Sequence, residues 1–291
     1  LVRPRPRLRP LSAGAPRLPA DGDGDGDGDG DGDGDGDGDG DGDGDGDGDE
    51  SGSVAWSTLA TTTTRGGTMK LLLTSGGVSV PSIREELVRL LGQPVEQSTA
   101  LCIPTAMYAH PWVGMGEKPW RFVAGREQNP MVDLGWASMG LLELTALPSL
   151  DPDLWVPRVR EVDALVVAGG DVLYLAHWMR ESGLLDLLPE LEDTVWVGLS
   201  AGSMVMTPEV GEDFVQWRPP SGASDTLGLV DFALFPHLAP DGEPGNSLAE
   251  AQDWFGRVSA PAYVLDDRSA VVVADGRTHV VSEGTWHHWD R

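Results

Sequence analysis

Residues 195–206 read V-W-V-G-L-S-A-G-S-M-V-M, and few local arrangements accommodate such a run. An apolar stretch ends at Gly198, Ser200 follows within a G-x-S-x-G spacing, and small and apolar residues come after. The pattern predicts a buried strand, a sharp turn and a helix. Such a turn forces its central residue into a strained backbone conformation, which the small neighbours Gly198, Ala201 and Gly202 permit. Ser200 would then stand at the carboxyl end of a strand, with the amino end of a helix behind it. Backbone N–H groups there can face a developing negative charge. Taken alone, the spacing describes a tight strand-to-helix turn equally well.

The surrounding chain predicts the sheet this turn belongs to. M-K-L-L-L-T-S-G-G, from Met69, reads as a buried parallel-type strand entering a glycine turn. Ser82 and Glu85 have the spacing of a capping box, ahead of a helix with Ile83, Leu87, Leu90 and Leu91 as its apolar stripe. Further strands are predicted over 100–103, 141–147 and 164–167. Helices are predicted over 153–162, 173–182 and 184–192, the first with Pro157 confined to its opening turn. Strands alternating with helices over 69–206 specify a right-handed, mostly parallel central sheet flanked by helices, an α/β fold. The Pro, Trp and Gly content of 110–135 suggests a loop over the site followed by a helix. Beyond Thr207 shorter strands are expected at 214–217, 231–235, 263–265, 270–274 and 278–281, with one helix over 247–258.

The first 68 residues are of another kind. Residues 1–20 are rich in Arg and Pro, and 21–48 are consecutive Asp-Gly pairs closed by Asp49 and Glu50. Such a repeat buries no apolar surface, so 1–68 is expected to be a disordered extension, with the functional start at Met69 and the domain over 69–291. Asp39, Asp41, Asp43, Gly44 and Glu50 match an EF-hand spacing, but any Asp-Gly repeat ending in Glu does so, and no amphipathic helix flanks it. The formal charge is −27 for 291 residues; the five Arg and sixteen acids of 1–50 leave −16 for the remainder. That balance argues against a nucleic-acid partner. No run approaches a membrane span and no secretory leader is recognisable. One cysteine, Cys102, lies in an apolar run, so no internal disulfide can form and a cytoplasmic location is expected. No metal or cofactor is called for, and the oligomeric state, monomer or homodimer, is left open.

In such folds ligands meet the carboxyl ends of strands. Three features fall there: Gly169-Gly170-Asp171, Ser200, and Pro236-His237. A serine needs a base, usually His. Of six histidines His237 is the best placed, because it closes the run 232–235 as a strand would. His110 falls in the loop over the site, His177 within a helix, His279 in a late strand. His287 and His288, between two tryptophans, read as packing rather than as metal ligands.

With these residues in hand, the chain from Met69 to about Trp289 resembles the serine peptidases that include aspartyl dipeptidase (dipeptidase E) and cyanophycinase, within the flavodoxin-like, class I glutamine-amidotransferase-like superfamily. The likeness is carried by L-L-L-T-S-G-G, V-V-A-G-G-D at 166–171, G-L-S-A-G at 198–202 and F-P-H at 235–237. It implies Ser200 as nucleophile, His237 as base, and the N–H groups of Gly170 and Ala201 as oxyanion donors. The family's third member is a carboxylate just after a strand following the histidine. Here that place reads Y-V-L-D-D-R-S and offers Asp266 or Asp267, of which Asp267 matches the family's glutamate; Glu212 and Asp213 form another acidic pair that could line the site. The activity implied is hydrolysis of dipeptides or short peptides. In aspartyl dipeptidase an arginine on the helix after the histidine holds the substrate's carboxylate, whereas 245–255 here contains neither Arg nor Lys. No strict preference for an amino-terminal Asp is therefore expected; Arg218 and Arg268 are the basic residues nearest in sequence to the site segments, and Arg126 lies in the stretch expected to loop over the site. Two other readings compete. One is an α/β-hydrolase esterase, whose triad runs Ser, acid, His rather than Ser200, His237, Asp267. The other is a non-catalytic small-molecule-binding member of the superfamily.

Overall fold

The computed structural model describes residues 69–109, 116–127, 130–239 and 246–291. The expectations for the extension, for the spacing Asp39–Glu50 and for His110 lie outside those residues. β1 (Lys70–Thr74), β2 (Thr99–Ile103), β3 (Ser138–Leu141), β4 (Ala164–Val167) and β5 (Val195–Leu199) form a parallel sheet. β8 (Ser269–Ala274) and β9 (Arg277–Ser282) extend it antiparallel, in the order β3-β2-β4-β5-β1-β8-β9. The helices are α1 (Pro81–Leu91), α2 (Glu117–Val123), α3 (Pro152–Arg160), α4 (Val172–Glu181), α5 (Leu184–Leu187), α6 (Ala201–Met204) and α7 (Leu248–Phe255). β6 (Ala233–Phe235), β7 (Ala262–Leu265) and β10 (Trp286–Trp289) make a second sheet, ordered β10-β7-β6.

The central sheet is covered on both faces, and the side-chain alternation shows it. Leu71, Leu73, Leu165, Val167 and Trp196 pack with α3, α4 and α5 on one side. Leu72, Ala164, Val166, Val195 and Val197 pack with Ile83, Leu87 and Leu90 of α1 on the other. Strands buried on both faces read as unbroken apolar runs, which is why they stand out in the sequence. The small sheet has its own core, built on Phe235, Trp254 and Val264.

Several local expectations are corrected. α1 is capped at Val80 without a side-chain bond and starts on Pro81, whose missing N–H costs nothing there; Ser82 instead donates its N–H to Glu283. The strand expected over 141–147 is β3, which ends at Leu141. Glu143 then accepts from the hydroxyls of Thr105 and Thr145, curling the chain into a 3₁₀ turn at Leu147–Ser149. α3 is capped by Asp151, and Pro157 lies inside it rather than in its first turn. The helix over 184–192 is α5 followed by a 3₁₀ turn at Leu188–Glu190. Residues 214–217 form no strand. The Phe214 ring packs on Phe235 and Trp254, and the Trp217 N–H is taken by Asp171. The strand β10 was not expected; α7, by contrast, begins with the capping box Ser247–Glu250.

Candidate active site

The end of β1 anchors one half of the site. Ser200, between β5 and α6, has φ 50° and ψ −108°, a conformation that side chains other than glycine rarely adopt. Its N–H bonds the carbonyl of Thr74 at 3.0 Å, and the hydroxyl of Ser203 bonds the same oxygen at 2.8 Å. The Thr74 hydroxyl in turn donates to the carbonyl of Gly198 at 2.6 Å. The flanking glycines allow close approach of backbone. A Cβ on Gly198 would lie 2.4 Å from the carbonyl oxygen of Gly202, and one on Gly202 would lie 2.4 Å from that of Val167.

Beside the elbow, the turn from β4 to α4 presents Gly170 at φ 140°, where a Cβ would sit 2.3 Å from the carbonyl oxygen of Ala106. Asp171 fixes this turn. Its N–H bonds Ala106, one carboxylate oxygen caps α4 through the Tyr174 N–H, and the other accepts the Trp217 N–H at 2.8 Å. No acceptor for the N–H of Gly170 or Ala201 occurs among the described residues.

The remaining half comes from the end of β6 and the turn between β7 and β8. His237 has φ 57°, and its Nδ1 lies 2.6 Å from Oδ1 of Asp267. Burial pushes the Asp267 carboxyl up, but the hydrogen bond from His237, that ring's charge and the Ser75 hydroxyl outweigh it and hold the group below the usual range. Asp266 has a different task. Its Oδ1 accepts the Arg268 N–H and the Ser269 hydroxyl, and its Oδ2 accepts the Thr285 N–H, so it ties the turn together. A cavity of about 430 Å³ is lined by Gly170, Leu199, Ser200 and His237 together with Lys118 and Asp213. The Ser200 hydroxyl and the His237 ring share this cavity without a hydrogen bond between them, a contact that often closes only when substrate is bound.

Other sequence candidates lie elsewhere. Glu212 pairs with Arg218, Arg268 with Glu283, and the Arg126 guanidinium stacks over Trp120. Asp213 does line the cavity, paired with Arg257. His177 packs between Trp178 and Trp217, His279 pairs with Glu86, and His287 and His288 lie on β10. Burial pushes the Cys102 thiol up to about 12, so it is inert as a nucleophile at neutral pH. Among the described residues no group of His, Cys, Asp and Glu could hold a metal, and no helix is long and apolar enough to cross a membrane. Among the described residues the Lys or Arg lining the cavity is Lys118 of α2, which sequence reasoning missed because it fell within the loop expected over the site.

The family model of Peptidase family S51 matches residues 71–281. The chain belongs to peptidase family S51. Among curated relatives, Peptidase E of Shewanella putrefaciens (strain CN-32 / ATCC BAA-453) is 30% identical over 137 residues, 44% of this chain and 57% of the relative. Peptidase E of Shewanella sp. (strain W3-18-1) is 30% identical over 93 residues, 31% of this chain and 39% of the relative. The chain thus matches about half the length of these curated relatives or less. The fold is similar to the crystal structure of a peptidase from an acI-B1 actinobacterium, with TM-score 0.53 and 18% identity over 77% of this chain and 93% of that one. It is equally similar to a candidate peptidase E protein from Listeria monocytogenes EGD-e, with TM-score 0.53 and 17% identity over 74% and 99%.

Proposed function

We propose that this S51 chain is a serine-type peptidase that hydrolyses dipeptides or short peptides through an acyl-enzyme. The observation that carries the reading is the 2.6 Å His237–Asp267 pair, of which His237 lines the same cavity as a serine held in an elbow conformation. In this reading Asp267 keeps the proton on Nδ1, which leaves the Nε2 lone pair for the Ser200 hydroxyl. Ser200 Oγ attacks the scissile carbonyl and its proton passes to Nε2. The carbonyl oxygen, now negative, is met by the N–H groups of Gly170 and Ala201. Nε2 returns the proton to the leaving amine. Water then repeats the sequence on the ester and frees Ser200. A fluorophosphonate probe should label Ser200 in the parent protein and not in Ser200→Ala. Absence of labelling would favour a non-catalytic binding role instead.

We further propose that there is no strict preference for an amino-terminal Asp. No residue of α7 lines the cavity, and Glu250 is engaged in the helix cap. Lys118 is the one Lys or Arg among the described lining residues, and it shares them with Asp171, Asp213 and Glu127. A lone flexible ammonium lacks the bidentate geometry that selects a carboxylate side chain. Asp-Leu should be cleaved with a kcat/KM within about tenfold of Ala-Leu. A preference above about 100-fold, some 2.7 kcal/mol, would overturn this.

A further inference from the structure

The geometry points to Ser75 as a positioning residue that fixes both the proposed base and its acid through one hydroxyl. This inference rests on the roles proposed for His237 and Asp267. Ser75 follows β1 and is fully buried. Its Oγ lies 2.7 Å from the backbone nitrogen of His237, 2.9 Å from Oδ1 of Asp267 and 3.3 Å from the carbonyl oxygen of Leu265. The donor accounting is forced. The His237 N–H can only donate, so Oγ accepts there. The single hydroxyl proton must then choose between a carboxylate at 2.9 Å and a carbonyl at 3.3 Å, and the ionised, nearer acceptor wins.

The result is a closed ring. The His237 N–H donates to Ser75, Ser75 donates to Asp267 Oδ1, and the same oxygen receives Nδ1–H of His237 at 2.6 Å. The backbone and the side chain of His237 are thus tied to one carboxylate through one hydroxyl. This matters because His237 is held at φ 57°, where its own preferences would let it relax. The neighbouring amide, Leu238 N–H, bonds the carbonyl of Leu265 at 2.9 Å, so two successive amides pin the strained turn. The close fit is specific to this segment: a Cβ on Gly76 would lie 2.5 Å from Cβ of Asp267, so the chain after Ser75 presses directly on the acid. Without the hydroxyl the carboxylate regains a rotamer and the imidazole loses its fixed aim, while nothing that would contact substrate is removed.

The test compares the parent with Ser75→Ala, and with Ser75→Cys, which keeps the bulk but donates weakly. Expected for both are a kcat lower by about 10- to 100-fold, a KM within about twofold and a cooperative thermal transition; should Ser75→Ala not fold, Ser75→Cys decides. In an Asp267→Asn background the Ser75 substitution should cost less than about threefold, because its effect runs through that carboxylate. A low-field proton resonance from Nδ1–H of His237 in the parent should broaden or vanish in both variants. That readout needs no turnover, so it judges Ser75 even if Ser200→Ala shows that the peptidase reading is wrong. An undiminished low-field resonance, or a penalty of equal size with and without the Asp267 carboxylate, would overturn the proposal.

Discussion

The carbonyl oxygen of Thr74 accepts the N–H of Ser200 at 3.0 Å, so the elbow serine hangs from the last residue of a different strand. This bond removes the Ser200 N–H from any role toward substrate. It leaves the next amide, Ala201, and that of Gly170 as the proposed oxyanion donors, neither having an acceptor among the described residues. One residue further along, Ser75 holds His237 and Asp267. The end of β1 therefore carries the supports of all three proposed catalytic groups, although it supplies none of them.

Ser200→Ala should fold as the parent does, with a thermal midpoint within a few degrees, and lose at least about 10³-fold in kcat on Ala-Leu. Turnover within tenfold of the parent would remove Ser200 from the mechanism.

The two adjacent aspartates should separate cleanly. Asp267→Asn should lower kcat by about 10³-fold or more, through loss of the imidazole's fixed tautomer, with little change in stability. Asp266→Ala should do the opposite, because it strips the partners of Arg268 N–H, Ser269 Oγ and Thr285 N–H. A loss of about 1–3 kcal/mol by urea denaturation, with kcat within threefold, is expected.

Gly170→Ala places a methyl group against the Ala106 carbonyl at a backbone angle suited to glycine. It should destabilise by about 1–3 kcal/mol and reduce kcat more than KM, because the displaced N–H is the proposed oxyanion donor. Unchanged denaturation and kinetics would show that this turn adapts freely.

Acid should loosen the contact between α1 and β9. Burial of Glu86 pushes its carboxyl up, but hydrogen bonds from His279 and Arg89, with their charges, outweigh this and hold it at about 2. A folded value below the ordinary glutamate value of 4.5 means that Glu86 contributes stability above that pH, and the contribution fades as pH falls toward about 2. The stability gap between the parent and Glu86→Gln should be largest near pH 6–7 and shrink steadily below about 4.5. A gap constant from pH 7 to pH 3 would contradict this.

Legibility followed the physics of each segment. β4 and β5 announce themselves because strands buried on both faces must be apolar throughout. The G-x-S-x-G turn is legible because a Cβ at 198 or 202 would lie 2.4 Å from a backbone carbonyl oxygen, which leaves room only for glycine. Asp267 could be placed against Asp266 only by likeness to a family; the residues themselves treat the pair alike until the hydrogen bonds distinguish them. Residues 142–147 misled because Leu142, Leu144 and Leu147 are all buried, yet a carboxylate-capped turn delivers them to the core rather than a strand. Pro157 is tolerated inside α3, although the sequence rule would push it to the first turn. Trp286–Trp289 hid its strand because all four residues are half-buried at a sheet edge, without the polar alternation that marks an exposed face. Lys118 could not be singled out, since nothing in the stretch expected to loop over the site marks it as a cavity residue.

β8 runs antiparallel to β1, and that reversal sets the order in which the site is assembled. A reversed strand brings its beginning, not its end, to the edge where the parallel strands stop, so Asp267 arrives there just before β8. A growing polypeptide has Ser200 and its elbow long before it has Asp267 or the β8 pairing that holds it. The fold thus places the proposed nucleophile ahead of the pair proposed to activate it in the order of synthesis. A chain interrupted between α6 and β8 would carry the elbow without the β8 pairing that holds the proposed acid, and on this reading would be silent through order of synthesis rather than through an inhibitor.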